Sequence, residues 1–320
     1  MKLISSILII CFVVFGKISF GQIEKNFSRD NPLVVLIPGG ASSGGQVYLS
    51  SLTPLARYTG HGDYFKSYRK LLNELNLPYI LCLQEEDDDK RSLIERSREC
   101  IYRVSSKIRS NGYKSRNLIL LGHSVGGNIA RLVAQDILVG NFVHSVLTIS
   151  TPHKGTILAD FAYDQYLEGE GFRSETYKKI MELIGFIPEK KSYFKEMFVE
   201  RRWDDPLIFL SQDIEDNPNV SYYSISNYLK KGRPSLISLT ESIIRSELQK
   251  RGLDQTPYGD LSDGIVPTYS MVYGRHVANI PADHIEGLCI GIFNLTSGCK
   301  AMKRSIKSII KMLKEKIRID

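Results

Sequence analysis

Little in this chain of 320 residues is extreme, and what it lacks narrows the field. No collagen or coiled-coil period runs through it, and it has no internal repeat and no low-complexity tract. Composition excludes a disordered chain: 42% of residues are hydrophobic and 24% charged, as in ordinary globular proteins. The excess of one charge is small. Forty-two basic against 35 acidic residues give a formal charge of +7, without the clustering that marks nucleic-acid binders, so nucleic acid is not an expected partner. Neither cysteine nor histidine spacing fits a zinc site, and no metal or cofactor is expected. The length fits two domains or one large α/β domain with insertions.

Apolar runs are short, with one exception at the start. Met1-Lys2 is a basic beginning, and Leu3 to Gly16 is apolar apart from Ser5 and Ser6. Ser19 and Gly21 then place small residues before Gln22, as a signal-peptide cleavage site requires. The run is too short to span a bilayer, which takes about 20 residues. We expect a signal peptide over 1–21 and one α/β domain over 22–320, exported to a secreted or periplasmic location. Loss of Lys2 and Lys17 brings the charge from +7 to +5. Cys82, Cys100, Cys289 and Cys299 then remain, and four cysteines allow three pairings. In an exported protein, a bridge between the neighbours Cys289 and Cys299 is one expectation, and buried free thiols are the other.

Continuous apolar runs alternate with helical patterns. Leu33 to Ile37, Tyr79 to Leu83, Leu118 to Leu121 and Val146 to Ser150 read as buried strands. Tyr64 to Asn76, Ser92 to Ile108 and Gly127 to Leu138 read as the helices between them. Strands separated by helices imply parallel β-α-β units. From about 163 to 217 the alternation stops. Scattered apolar residues there predict a helical cap over the site, lined by Ile184, Phe186, Ile187 and Phe198. Strand patterns return at Val220 to Ile225 and His276 to Ile280.

Gly122-His123-Ser124-Val125-Gly126 follows a buried strand and precedes a helix. A serine on such a strand-turn-helix is lifted above the sheet, and the glycines clear the space beside it. The turn leaves the Val125 N–H facing a developing oxyanion. A second donor is expected from the loop after an early strand. Pro38-Gly39-Gly40-Ala41 is that loop, and Gly40 N–H is assigned the role.

A serine needs a base held by an acid, which follow the nucleophile as acid and then histidine. Only His276 and His284 lie far enough along the chain. His276 sits in an apparent strand and His284 in a loop, so His284 is assigned as base. Asp263, in Leu261-Ser262-Asp263-Gly264-Ile265-Val266-Pro267, is the assigned acid. Its rivals are Asp260, which reads as a solvated turn residue, and Asp283, which adjoins His284 and reaches its ring poorly.

With these residues in place, the chain resembles the bacterial secreted triacylglycerol lipases of the α/β-hydrolase fold, of the Pseudomonas and Burkholderia type. The resemblance runs through Val34-Val35-Leu36-Ile37-Pro38-Gly39-Gly40, Asn117 to Gly127, Thr151-Pro152-His153-Lys154-Gly155-Thr156, Val220 to Ser224, Ser262 to Pro267 and Asp283-His284. It implies a mostly parallel sheet flanked by helices, a Ser124–Asp263–His284 triad, oxyanion donors at Gly40 and Val125, and a lipid or other ester as substrate. It also implies a structural role for His153. Pro38 stands where that family has histidine. Glu286 stands near a position of a calcium ligand but lacks an upstream acidic partner, so calcium is not implied.

The last helix, from about 301 to 317, has Met302, Ile306, Ile309, Ile310, Leu313 and Ile317 on one face and lysines and arginines on the other. We expect the apolar face to cover the sheet and the basic face to be solvated; the alternative is a helix that lies on an anionic membrane surface, a transient contact with a lipid interface.

Overall fold

The computed structural model describes residues 31–40, 42–43, 46–48, 61–82, 91–167, 171–172, 174–176, 178, 192–200, 208–230, 237–290 and 295–319. The expected signal peptide, and Ile184, Phe186 and Ile187 of the expected cap, lie outside them.

Six strands form one sheet: β1 (Leu33–Ile37), β2 (Tyr79–Leu81), β3 (Leu118–His123), β4 (Val143–Ile149), β5 (Ser221–Asn227) and β6 (Arg275–Ile280). Their spatial order is β2-β1-β3-β4-β5-β6, and every neighbouring pair is parallel. The connecting helices are α1 (Lys66–Glu74), α2 (Leu93–Asn111), α3 (Val125–Gln135), α4 (Ile157–Asp164) and α5 (Ser238–Lys250), and α6 (Ser297–Ile319) ends the chain. A small antiparallel sheet of Ser42–Ser43, Gln46–Tyr48 and His61–Asp63 lies between β1 and α1 in sequence.

Strand β1 is apolar throughout because both faces of the sheet are covered there. Leu33, Val35 and Ile37 of β1 join one core cluster with residues of α2, α3 and α5, while Val34 and Leu36 join the opposite cluster with residues of α1 and α6. In β3, Leu118 and Leu120 go one way and Ile119 and Leu121 the other. This two-residue period decides where the next side chains point. Gly122 faces the α3 side, and His123 faces the α1 side.

Helix α6 buries Met302, Ile306, Ile309, Ile310 and Leu313 against the sheet, with Ile317 packed partly against the same cluster. Its apolar stripe is therefore used by the core. No helix among the described residues is long and apolar enough to cross a membrane. Two disulfides are formed, Cys82–Cys100 between the end of β2 and α2, and Cys289–Cys299 between the histidine loop and α6.

The described ends of the inserted region pack on the core. Phe194, Met197 and Phe198 are buried in the cluster that holds α3 and α4, and Thr156 N–H donates to Met197 C=O at 2.8 Å. Phe198 was expected to line a cap. It instead meets Tyr163 edge-to-face at 5.2 Å where that ring packs on this cluster, because its position beside the Thr156 N-cap of α4 leaves it no open face.

The same segment carries a buried acid. Glu196 Oε2 accepts the Leu93 N–H at the start of α2, at 2.8 Å. Burial pushes its carboxyl from 4.5 up to about 7, against the lowering effects of that hydrogen bond and of Arg96. A folded-state value above the unfolded one means that the folded chain binds the extra proton. The stability it confers is present below pH 4.5 and is lost as pH rises through about 7. The melting temperature of Glu196→Gln should therefore gain on wild type across that window, because Gln keeps an acceptor for Leu93 and cannot ionise. Parallel melting curves of the two proteins against pH would contradict this.

Candidate active site

Strand order reverses between β1 and β3, and a parallel sheet opens its crevice at the carboxyl ends of the strands at such a point. Ser124 follows β3 there, and the Pro38–Gly40 loop follows β1. Ser124 has φ 55° and ψ −137°, a conformation that a non-glycine residue adopts at a cost of about 1–3 kcal/mol. The surroundings hold it in place: its N–H donates to Ile149 C=O at 2.9 Å, and its C=O accepts Gly127 N–H at 2.9 Å. The turn also requires close approach. A Cβ on Gly126 would fall 2.2 Å from Ile37 O and 2.6 Å from Pro38 O, so α3 starts directly against the end of β1.

Ser124 is 9% exposed, and its hydroxyl makes no hydrogen bond to a described residue. Val125 is the first residue of α3, so its N–H has no partner within the helix. A Cβ on Gly39 would lie 2.7 Å from Ser124 Cβ, which places the loop against the serine, with Gly40 buried next to it.

Asp263 and His284 are brought together from loops before and after β6. Asp263 is fully buried. Its Oδ1 accepts the N–H groups of Ile265 at 3.0 Å and Val266 at 2.8 Å, and its Oδ2 lies 2.6 Å from His284 Nδ1. Because Oδ1 is filled by two amides, Oδ2 is left for the ring. The Asp263 C=O also accepts His284 N–H at 3.1 Å, so backbone and side chain hold the histidine together. The other ring nitrogen, Nε2, has no protein hydrogen bond among the described residues.

The rivals are placed elsewhere. Asp260 is exposed. Asp283 Oδ1 accepts the N–H groups of Ile285 and Glu286 at 3.0 and 2.7 Å and so caps the turn after it. His276 is bound to Ser226 Oγ at 2.8 Å. His153 is buried, stacks on Tyr273 at 4.2 Å and bonds Thr148 Oγ1 through Nε2 at 3.0 Å. Burial, then the charges of Arg131 and Lys154, holds its ring neutral. Glu286 is buried and accepts Asp283 N–H at 3.4 Å. No group of three or more His, Cys, Asp or Glu side chains among the described residues is arranged to hold a metal ion.

Two residues around the site escaped sequence reasoning. Tyr64 read as part of a helix face, but the helix begins at Lys66 and Tyr64 sits in the turn before it. Its hydroxyl lies 2.6 Å from His123 Nδ1, and His123 Nε2 lies 3.2 Å from His284 C=O. The only clue in the chain was a histidine where β3 turns its side chains toward a covered, apolar face.

Comparison with known proteins places this geometry in context. A family model described as the PGAP1-like alpha/beta domain matches residues 30–181. No curated protein matches the chain. Among solved structures, the chain is similar to a Staphylococcus hyicus lipase at 16% identity and a TM-score of 0.52, covering 92% of this chain and 98% of that one. It is also similar to the mature form of the Bacillus licheniformis lipase BlEst2 at 15% identity and a TM-score of 0.51, covering 80% and 86%. The fold is that of the α/β-hydrolases, with a six-stranded parallel sheet between helices.

Proposed function

We propose that the chain is an exported serine carboxylester hydrolase that acts on lipid esters, with Ser124 as nucleophile, His284 as base and Asp263 as the acid that orients it. The carrying observation is the 2.6 Å bond from His284 Nδ1 to a fully buried Asp263 carboxylate, in a site whose serine is held at positive φ. With Nδ1 donating to Asp263, Nε2 is the nitrogen free to take a proton. It takes the proton from Ser124 Oγ as that oxygen attacks the ester carbonyl. The carbonyl oxygen becomes an oxyanion, received by the N–H groups of Val125 and Gly40. Collapse of this intermediate breaks the bond to the alcohol, which leaves with the proton from Nε2. Water then attacks the acyl-serine and gives a proton to His284 Nε2; the bond to Ser124 Oγ breaks, and Oγ takes that proton back as the acid leaves. Removing one oxyanion donor typically costs about 3 kcal/mol.

Two solved structures that share the fold are described as lipases, which supports an ester substrate. The nearer likeness to the Pseudomonas and Burkholderia type rests on the Thr151 to Thr156 stretch and its order relative to Ser124 and Asp263. Export is supported by the basic-apolar start and by two disulfides, which persist in oxidising compartments. We assign no cofactor to the reaction.

Rates on p-nitrophenyl esters from two to sixteen carbons, repeated on emulsified triglyceride, test the substrate class. A lipid esterase hydrolyses the longer chains and the emulsion. Activity confined to the shortest soluble esters would move the reading to an esterase or acyltransferase of soluble or envelope-linked acyl groups. No activity on any ester would overturn it.

A further inference from the structure

A second chain of buried hydrogen bonds runs through the site without using the triad side chains. Its directions are set by chemistry. The C=O of His284 can only accept, so His123 Nε2, 3.2 Å away, carries a proton. Burial first, and the neighbouring His284 second, hold the His123 ring neutral. Its Nδ1 is therefore bare and accepts from the Tyr64 hydroxyl at 2.6 Å. The Tyr64 oxygen in turn accepts Gly39 N–H at 3.0 Å. The order is Gly39 N–H to Tyr64, Tyr64 O–H to His123, and His123 N–H to His284.

We infer that Tyr64 and His123 are positioning residues, locking the loop that carries the Gly40 oxyanion donor to the loop that carries His284. This rests on the reading of Ser124, His284 and Asp263 as a hydrolytic triad. The geometry leaves little slack. A Cβ on Gly39 would meet both Tyr64 Oη and Ser124 Cβ at 2.7 Å, so the loop is wedged between tyrosine and nucleophile. Gly40 N–H is one peptide unit beyond the amide that Tyr64 holds. On the other side, the His284 backbone is fixed at its N–H by Asp263 and at its C=O by His123. Both partners of the tetrahedral intermediate, its oxyanion donor and its general base, are thus set by one relay through the residue before the nucleophile.

The relay also has an electrostatic consequence. The His123 and His284 rings have centroids 4.9 Å apart. When His284 takes the serine proton, a second cation at that distance would oppose it. A neutral His123, with its single proton committed to a carbonyl, avoids that repulsion.

A neighbouring tyrosine supplies the control. Tyr68, one turn along, is as buried as Tyr64 and donates to Gly287 C=O, outside the relay. If buried tyrosine hydroxyls here served stability alone, Tyr64→Phe and Tyr68→Phe would behave alike. Steady-state kinetics on p-nitrophenyl butyrate, thermal unfolding and the rate of fluorophosphonate labelling are measured for wild type, Tyr64→Phe, Tyr68→Phe, His123→Gln and His123→Leu. Tyr64→Phe should lose kcat by about 10–100-fold, the scale of a misplacement of about 1 Å at a reacting centre, with KM within about twofold. Its labelling should slow in proportion. Tyr68→Phe should melt earlier but keep kcat within about threefold. His123→Gln, which can still donate to His284 C=O, should retain several-fold more kcat than His123→Leu. An active wild type with Tyr64→Phe unchanged in kcat, or with the two Tyr→Phe variants losing kcat alike, would overturn the relay and leave the triad standing. A wild type that neither hydrolyses esters nor is labelled would overturn both.

Discussion

Ser124→Ala should lose ester hydrolysis by about 10⁴-fold or more, with its unfolding free energy within about 0.5 kcal/mol of wild type. The activity falls because no other hydroxyl replaces an attacking oxygen. Stability holds because Ser124 Oγ makes no hydrogen bond to a described residue, and Ala at φ 55° is strained as Ser is. Ser124→Gly separates the two effects. It should be equally inactive yet more stable by about 1 kcal/mol, since glycine adopts that backbone freely and the relief exceeds its extra chain entropy. On the proposed reading, a serine kept in a strained conformation with no side-chain hydrogen bond to a described residue is there for its chemistry. Residual activity of more than a few per cent in either variant would show that Ser124 is not the nucleophile.

The second large effect is expected at Asp263. Asp263→Asn keeps size and removes charge, and the hydrogen-bond pattern decides the orientation of the new amide. The side-chain oxygen must stay toward Ile265 and Val266 N–H, because an amide NH2 there would face two donors. The Asn NH2 then faces His284 Nδ1, which is forced to accept. The ring proton moves to Nε2, the nitrogen that should receive the serine proton. A wrong tautomer of this kind costs about 10⁴-fold in kcat in a serine protease triad, and a loss of that order is expected here. KM should change little. Asp260→Asn, at an exposed position, should be near wild type. Equal effects of the two substitutions would remove Asp263 from the site.

How much could be read in the chain depended on how local each feature is. The strands were legible because both faces of the sheet are covered, so Leu33 to Ile37 is apolar without a break. The turn at Ser124 was legible because its glycines, strand and helix are contiguous. Asp263 and His284 could be named from chain order, and the structure places their side chains 2.6 Å apart. The inserted region was not legible in the same way. Its apolar residues follow no period, and Phe198 belongs to the core beside Tyr163, a contact between positions 35 residues apart that no pattern announces. Cys82–Cys100 was not singled out, because closeness in sequence pointed only to Cys289 and Cys299; the fold brings Cys82, just after β2, to Cys100 in α2. Tyr64 is the clearest case. Its spacing fits an apolar helix face, and only the register of β3, which turns His123 toward it, shows that its hydroxyl has a partner 59 residues away.

Activation of Ser124 by His284 is tested most directly by mass spectrometry of the purified protein after reaction with a fluorophosphonate, followed by mapping of the modified peptide. The predicted result is one adduct per chain, on the peptide containing Gly122-His123-Ser124-Val125-Gly126, formed in wild type, lost in Ser124→Ala and greatly slowed in His284→Ala. No adduct on folded wild-type protein, or an adduct on another serine that persists in Ser124→Ala, would contradict it.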